Sequence, residues 1–287
     1  MTGRSVRLVF VFLALHLVFL GYAQSPKWKA WQVEADTLYS RQDYGNAAKR
    51  YTKILDANRS KGGKYGDRSL YSILYKRAVC YYSLQEFDKA LGDLAVFTVE
   101  FPKAPQPKLL SAFIYRALND VDKQLTNLNE AMELQPASPD FLKWRGLLHL
   151  QKKNHREALR DLLQARSFED DSEIETYLGL CYYNLDQIDS AFLSFDTAIE
   201  LDPTFFSPYL YASSIALENQ NYPLSLEYSN LALRLDGKSK EALFYKGAAL
   251  VASDQMDEGC RCLNRAFYAG FDNAGDYLSE FCFQMGN

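Results

Sequence analysis

Residues 172–203 read SEIETYLGLCYYNLDQIDSAFLSFDTAIELDP, and this stretch decides the fold. Apolar residues recur at helical spacing on both sides of a short polar tract, which predicts two amphipathic helices joined by a turn. Gly179 in the first helix and Ala191 and Ala198 in the second are small enough to let two helix backbones approach closely. Pro203 ends the second helix because it lacks a backbone N–H. The stretch therefore predicts a helical hairpin.

The same pattern recurs along the chain with a period near 34 residues. Small residues follow one another at spacings of 43, 34, 34, 33, 34 and 34 residues. They are Ala35, Ala78, Ala112, Gly146, Gly179, Ser213 and Gly247. If each is numbered as the eighth residue of a repeat, positions 20 and 27 are mostly small and positions 11 and 24 mostly large. A fixed period near 34 is typical of a helical-hairpin solenoid, in which each repeat buries its apolar face against its neighbours.

At these positions the chain resembles the tetratricopeptide repeat family. The second repeat carries the family pattern almost entire in Leu74, Ala78, Tyr81, Ala90, Leu94 and Pro102, and Pro136 and Pro203 repeat the last position. The resemblance covers residues 28–287 and implies an all-α fold, a right-handed α-α superhelix (a tetratricopeptide solenoid) of about seven helix-turn-helix repeats. The repeats are expected at about 28–61, 71–104, 105–138, 139–171, 172–205, 206–239 and 240–273, followed by a capping helix at 274–285.

Four residues depart from the family pattern. Lys108 and Glu175 stand where an apolar residue is usual, Gln124 replaces Ala, and Ser229 replaces a large residue. We therefore expect looser packing in the third and sixth repeats. The long first interval contains about nine extra residues near 59–67, which are expected in a loop between repeats.

The N-terminus is typical of a secretory signal peptide. Arg4 and Arg7 precede an uncharged, mostly apolar run over residues 8–20, and small residues then lead to a cleavage position before Gln24. We predict a signal peptide at residues 1–23 and export, to the periplasm of a bacterial envelope or as a secreted protein. The alternative is an uncleaved anchor, but the run is shorter than the roughly 20 residues that a spanning helix needs. No long apolar run follows residue 24, so no membrane span is expected after cleavage.

Charge and cysteine content exclude several classes. The chain has 32 basic and 36 acidic residues, and loss of Arg4 and Arg7 leaves 30 basic ones, so nucleic acid is not an expected partner. The five cysteines are odd in number and widely spaced, which does not suggest a disulfide framework. Cys80 and Cys181 are expected in the core. Cys282 can approach Cys260 or Cys262, and the sequence leaves that disulfide open.

The mature chain offers little catalytic chemistry. Its two histidines, His149 and His155, fall at core-type positions of the fourth repeat and are predicted to pack there. The acidic run from Glu169 to Glu175 lacks the spacing of a calcium loop and is predicted to be a solvated turn. We therefore predict a protein that is not an enzyme and uses no cofactor and no metal.

The first helices of stacked repeats are expected to line a concave wall through positions 2, 5, 6, 9 and 12. In this chain those positions form an aromatic surface. Its predicted partner-binding residues are Tyr75, Tyr82, Phe113, Trp144, Leu147, Tyr177, Leu180, Tyr183, Tyr211, Phe244 and Tyr245. Aromatic side chains bury large areas at low entropic cost, as binding hot spots do. For Tyr177, Tyr211 and Tyr245 the alternative is packing against the neighbouring hairpin.

The sequence predicts an exported, non-catalytic scaffold that binds a peptide or a partner protein in this aromatic groove. The alternative is a saccharide or cell-wall-fragment binding module that uses the same groove, with Asp140, Lys143, Asn184 and Glu218 as its polar groups. Some family members hold a chaperone's C-terminal carboxylates with basic and amide side chains. That arrangement is missing here, since the corresponding places hold Gln32, Asp36, Lys76, Gln106 and Leu110.

Overall fold

The computed structural model describes residues 26–59, 65, 67–135 and 138–282, and these are almost entirely helical. The helices are α1 (Pro26–Ser40), α2 (Tyr44–Ala57), α3 (Ser69–Ser83), α4 (Phe87–Glu100), α5 (Pro105–Ala117), α6 (Val121–Leu134), α7 (Pro139–Gln151), α8 (His155–Arg166), α9 (Ser172–Asn184), α10 (Ile188–Leu201), α11 (Ser207–Glu218), α12 (Tyr222–Leu235), α13 (Lys240–Ala252), α14 (Met256–Tyr268) and α15 (Asn273–Tyr277). Within this part of the chain the only β interaction is an isolated bridge between Arg59 and Tyr65. The predicted signal peptide and Pro136 lie outside the described residues.

The helices form seven consecutive hairpins in two compact units. The N-terminal unit ends at Leu134 and holds hairpins one to three, which are α1–α2, α3–α4 and α5–α6. The C-terminal unit begins at Gln135 and holds hairpins four to seven, which are α7–α8 through α13–α14, followed by α15. Each hairpin corresponds to one predicted repeat, so the predicted all-α repeat fold is confirmed. No helix of the described residues is long and apolar enough to cross a membrane.

One turn geometry joins the two helices of every hairpin. The residue at position 15 has a φ between 56° and 61° in all seven hairpins, although it is never glycine. These residues are Gln42, Gln85, Asn119, Lys153, Asp186, Gln220 and Asp254. The N–H of the next residue donates to the carbonyl at position 11, for example from Glu86 to Tyr81 at 2.8 Å. This is the hydrogen-bond pattern by which a left-handed residue closes a helix C-terminus.

Close contact at the small positions holds each hairpin together. A Cβ added to Gly179 would lie 2.5 Å from a ring carbon of Phe195, which is the large residue at position 24 of the same hairpin. A Cβ on Gly247 would lie 2.8 Å from Leu263 and 3.0 Å from the carbonyl of Gly259. These distances are shorter than ordinary Cβ contacts, so a side chain at either position would force Phe195, Leu263 or the backbone of α14 to shift.

Buried ion pairs fill the space between the helices of hairpins two and four. Arg77 donates from Nε and Nη2 to the two carboxylate oxygens of Asp93, at 2.8 and 2.7 Å, and from Nη1 to Thr52 Oγ1 in hairpin one at 3.1 Å. Arg145 holds Asp161 in the same bidentate way, with both distances 2.7 Å. The two pairs occupy positions 7 and 23 of their repeats. Bidentate geometry makes such pairs strong and directional.

Hairpin three lacks this ion pair and leaves a cleft. Its positions 7 and 23 hold Ser111 and Asn127, and the amide of Asn127 donates to the carbonyl of Lys123 at 2.8 Å. The cleft lies between α4 and hairpin three and has a volume of about 560 Å³. It is lined by Leu91, Leu94, Ala95, Thr98, Val99, Lys108, Ser111, Tyr115 and Asn127. The looser packing expected for the third repeat is consistent with this cleft.

The expectation of looser packing in the sixth repeat is wrong. Ser213 and Ser225 are fully buried, and each hydroxyl donates to the other residue's carbonyl, at 3.0 and 2.9 Å. Ser229 is fully buried as well and donates to the carbonyl of Leu226 at 3.2 Å. Hydrogen bonds thus replace the apolar contacts that the usual residues make.

The last hairpin is covered by α15 and a single π-helical turn, Leu278–Cys282. Phe244 packs against Phe271 and Tyr277, with ring centroids 4.7 and 5.1 Å apart. A disulfide joins Cys260 in α14 to Cys282 in the π turn. This bond settles the open question about Cys282, while Cys80, Cys181 and Cys262 are buried free thiols.

Candidate functional site

The candidate site is the surface formed by the first helix of each hairpin. We define the first-helix face as the side chains at repeat positions 2, 5, 6, 9, 12 and 13 of α1, α3, α5, α7, α9, α11 and α13. The face is described separately for the N-terminal and the C-terminal unit. All the predicted partner-binding residues occupy these repeat positions, but their surroundings differ.

In the N-terminal unit the predicted aromatic residues are half-buried by second-helix rings. Tyr75 packs against Phe97 and Tyr82 against Phe87, with ring centroids 5.8 and 6.2 Å apart. Burial raises the pKa of Tyr75 to about 12. Phe113 is also half-buried. These side chains therefore expose only part of their rings.

The charged residues on this face of the N-terminal unit are mainly basic. Asp36 is the one acidic residue at these positions, against Lys29, Lys76 and Arg116. Asp36 accepts hydrogen bonds from Lys76 Nζ at 2.8 Å and from the hydroxyl of Tyr51 at 2.6 Å. Its charge is thus already compensated within the unit.

In the C-terminal unit, Lys143 is the centre of an ionic network. Its Nζ lies 2.9 Å from Asp171 Oδ2 and 2.9 Å from Glu173 Oε2. Tyr177 donates to the other oxygen of Glu173 at 3.2 Å. Burial alone would lower the pKa of Lys143, but the two carboxylates more than offset burial and raise the pKa. The ammonium is therefore held as a charged, engaged group.

The acidic run that includes these carboxylates is not simply a solvated turn. Asp171 caps α9, since its Oδ1 accepts from the backbone N–H groups of Glu173 and Ile174 at 2.6 and 3.3 Å. Glu175 is only 5% exposed and lies 3.5 Å from Arg166. Burial raises the pKa of Glu175, and Arg166 offsets part of that rise.

A second hydrogen-bonded group joins α9 to α11. Tyr183 Oη donates to Glu218 Oε2 at 2.5 Å, and Ser214 Oγ donates to Glu218 Oε1 at 3.2 Å. The hydrogen bond to Glu218, then burial, and then the negative charges of Glu218 and Asp186 raise the pKa of Tyr183 to about 12. The phenol therefore stays neutral and its ring is held in place at the surface.

Tyr211 is the most exposed of the predicted residues, at 39%. Its ring lies nearly parallel to that of Phe195, with centroids 6.5 Å apart, so one ring face is supported and the other is open. Trp144, Leu147, Tyr177, Leu180, Tyr183 and Tyr245 are half-buried. These side chains supply apolar area that a partner can cover.

Phe244 does not belong to the candidate surface. It is 7% exposed because Phe271 and Tyr277 of the C-terminal cap cover it. The sequence predicted Phe244 on the exposed face because it stands at position 5 of its repeat, one of the positions that are expected to line the concave wall. The neighbouring Tyr245 packs edge-on against Phe244, with centroids 5.7 Å apart.

The histidines lie within hairpin four. Burial lowers the pKa of His149, whose Nε2 is 4.0 Å from Asp161 Oδ2. His149 and His155 are both half-buried. Over the described ranges, His, Cys, Asp and Glu side chains form no group of three or more that is arranged to hold a metal ion.

Sequence reasoning named Lys143 and Glu218 as polar neighbours of the aromatic residues but missed Asp171, Glu173 and Ser214 as members of the site. Asp171 immediately precedes α9 and Glu173 lies in it, so their contact with Lys143 depends on how hairpins four and five stack. The sequence signal for this contact is that the acidic run from Glu169 to Glu175 lies at the junction with the next repeat, while Lys143 stands at position 5 of repeat four.

Comparison with known proteins gives the same fold. Two tetratricopeptide repeat family models match, one over residues 33–105 and 114–172 and the other over residues 178–205. No curated protein matches the chain by sequence.

Three solved structures illustrate the likeness. The C-terminal part of a TPR repeat-containing protein from Cytophaga hutchinsonii is 19% identical, with a TM-score of 0.66 over 85% of this chain and 98% of that one. PilW, a type IV pilus biogenesis factor, is 15% identical, with a TM-score of 0.58 over 72% of this chain and 96% of that one. YrrB, a TPR protein with an unusual peptide-binding site, is 15% identical, with a TM-score of 0.52 over 65% of this chain and 97% of that one. At these identities the likeness concerns the fold alone.

Proposed function

Because this chain belongs to the tetratricopeptide repeat family, we propose that it is a non-catalytic scaffold that binds a peptide segment or a partner protein on its first-helix face. The observation that carries this proposal is the supported aromatic surface of the C-terminal unit. Tyr183 is fixed by Glu218 and Tyr211 by Phe195. Exposed aromatic side chains that are already ordered lose little entropy when a partner covers them.

Two further observations support protein binding. YrrB, which shares the fold, is described as having a peptide-binding site, and PilW as a biogenesis factor for an assembled pilus. The polar groups beside the aromatic residues of this chain are largely bonded to one another, as Tyr183 is to Glu218. Protein partners cover such a surface, with apolar contact at its centre and hydrogen bonds at its edge.

We further propose that the protein is exported, to the periplasm of a bacterial envelope or as a secreted protein, after cleavage before Gln24. The support is the signal-peptide pattern of residues 1–23 together with the Cys260–Cys282 disulfide. Disulfides persist in oxidising compartments and are rare in the cytosol. N-terminal sequencing of protein recovered from the source cells tests this, since an intact residue 1 on the isolated protein would contradict it.

The binding proposal is tested by affinity capture from an extract of the source cells. We compare the wild type with a Trp144→Ala and Tyr183→Ala double variant. A matched control replaces Phe168 and Tyr268, which are 58% and 85% exposed and lie outside the first-helix face. The double variant should lose a partner that the wild type and the control both retain. Equal recovery of every partner by all three proteins would contradict the proposal.

A saccharide or cell-wall-fragment binding module is the second candidate. It is favoured by the exposed Asn184 and Glu218 beside Tyr183, because sugar sites combine aromatic rings with amide and carboxylate groups. Titration with soluble peptidoglycan fragments, followed by tryptophan fluorescence, tests it. A saturable signal that the Tyr183→Ala substitution abolishes would favour the sugar, and its absence would leave the protein partner.

A further inference from the structure

The first-helix faces of the two units carry opposite charge. In the C-terminal unit the face positions of α7, α9, α11 and α13 hold the four carboxylates of Asp140, Glu173, Glu218 and Glu241. The same positions hold one cation, Lys143, which is already engaged by Asp171 and Glu173. In the N-terminal unit the balance is reversed, with three cations against one carboxylate. The tyrosines of the C-terminal unit therefore lie on an acidic surface.

Two of these carboxylates have no cationic partner. Among the described residues, no Lys or Arg pairs with Glu218, whose two oxygens accept only the hydroxyl groups of Tyr183 and Ser214. Asp140 is likewise exposed and outside any ion pair of the described chain. Neutral hydroxyl donors leave the full negative charge of Glu218 at the surface, beside the ring of Tyr183.

A cation is the group that can interact with both the ring of Tyr183 and the carboxylate of Glu218. A Lys or Arg side chain over the ring of Tyr183 gains a cation–π interaction and can also pair with the carboxylate of Glu218. The negative charges of Glu218 and Asp186 are both felt at the phenol of Tyr183, whose pKa they help to raise. Leu180 and the open face of Tyr211 add apolar area along the same two helices.

We propose that the first-helix face of the C-terminal unit binds a cationic segment of a partner protein, with a Lys or Arg side chain over the ring of Tyr183 and paired with the carboxylate of Glu218. The occupant follows from charge complementarity, because an acidic or neutral segment would leave these carboxylates uncompensated. This proposal rests on the proposed function and adds the chemistry of the partner.

The test uses a random library of dodecapeptides displayed on phage and the full-length mature protein as bait. We compare the wild type with Glu218→Lys and with a matched control, Glu200→Lys, which makes the same charge change at an exposed site on the second helix α10. Peptides recovered by the wild type and the control should be enriched in Lys and Arg, and peptides recovered by Glu218→Lys should not. For one recovered peptide, calorimetry should show about two- to fivefold weaker binding to Glu218→Gln, since exposed charge pairs are of that strength.

Other results would overturn the inference. Recovery of acidic or neutral peptides, recovery of no peptide, or equal loss of binding in both charge variants would each do so. Neutral peptides that still require Trp144 and Tyr183 would leave the proposed function standing and refute only the cationic partner. Self-association of the wild type that Glu218→Lys abolishes, seen by analytical ultracentrifugation, would assign the face to a second copy instead.

Discussion

Hairpins two and three follow one another in the N-terminal unit and share one register, but they fill the space between their helices differently. Hairpin two closes it with the bidentate Arg77–Asp93 pair, whereas hairpin three has Ser111 and Asn127 there and borders an open cleft. Both hairpins bury a small residue at position 8, Ala78 and Ala112. The difference teaches that the repeat spacing determines where helices cross, while the residues at positions 7 and 23 set how these two hairpins fill the space beside the crossing.

The largest effect is expected from overfilling a closed crossing. Gly179→Leu should destabilise the protein by more than about 3 kcal/mol, because even a Cβ would lie 2.5 Å from the ring of Phe195 inside hairpin five. Ser111→Leu, which faces the cleft of hairpin three, should change the free energy of unfolding by less than about 1 kcal/mol. Urea denaturation measures both. Equal stability of the two variants would show that the crossing in hairpin five can relax.

Removing one member of the buried pair comes next. Arg77→Ala should lower the free energy of unfolding by about 3 kcal/mol, because Asp93 is left buried without its cation. The equivalent change in hairpin three, Ser111→Ala, should cost less than about 0.5 kcal/mol. Thermal unfolding followed by circular dichroism tests the pair. If Arg77→Ala is as mild as Ser111→Ala, the two hairpins do not differ in the way we describe.

Position 4 extends the comparison to hairpin five. At this position hairpin two buries an apolar residue, Leu74, whereas hairpin five buries a carboxylate, Glu175. Glu175→Leu should raise the free energy of unfolding at neutral pH by about 1 kcal/mol, because the cost of burying this carboxylate is removed while the partner Arg166, 42% exposed, stays in contact with water. Glu200→Leu, at an exposed site on α10, is the control and should leave stability nearly unchanged.

The pH dependence of that variant has a definite sign. Burial raises the pKa of Glu175, so the folded protein binds this proton more tightly than the unfolded chain does. The carboxyl then contributes stability below its ordinary pKa, and that contribution is lost as the pH rises through the folded value. The advantage of Glu175→Leu should therefore shrink as the pH falls into the acid range. An advantage that grows on acidification would contradict the shift.

The smallest effect concerns the feature that all hairpins share. Lys153→Gly should stabilise the protein by about 0.5 to 1 kcal/mol, because Lys153 has a φ of 60° and glycine adopts that conformation without strain. The adjacent Lys152→Gly is a matched control at a φ of −86° and should slightly destabilise the protein. Chemical denaturation distinguishes the two, and an equal response of both lysines would mean that the turn is not strained.

The periodic small residues were enough to predict the fold, because Gly179 and its equivalents are needed at every helix crossing. The left-handed turn was not predicted, since position 15 carries Gln, Asn, Lys or Asp and never the glycine that usually announces such a turn. The looser packing expected in repeat six failed because Ser213 and Ser225 hydrogen-bond to each other. The residue type at one repeat position does not show which residue it will hydrogen-bond to in the folded protein.

The candidate site was less accessible to sequence reasoning than the fold. Repeat position alone places Tyr183 and Tyr211 on the first-helix face, but it also places Phe244 there, which the C-terminal cap covers. The contacts of Lys143 with Asp171 and Glu173 connect neighbouring hairpins, so they require the stacking geometry. The Cys260–Cys282 bond likewise depends on where the cap folds back.

The Cys260–Cys282 disulfide makes the stability of the last hairpin depend on the redox state of the compartment that holds the protein. The terminal hairpin of a repeat array has only one neighbour, so it opens more readily than the interior. The Cys260–Cys282 bond ties the cap to that hairpin across a sequence separation of 22 residues. If the protein is exported as we propose, a copy retained in a reducing compartment keeps a frayed end that proteases can enter, and an exported copy does not. One covalent bond would then make retained copies short-lived and exported ones durable.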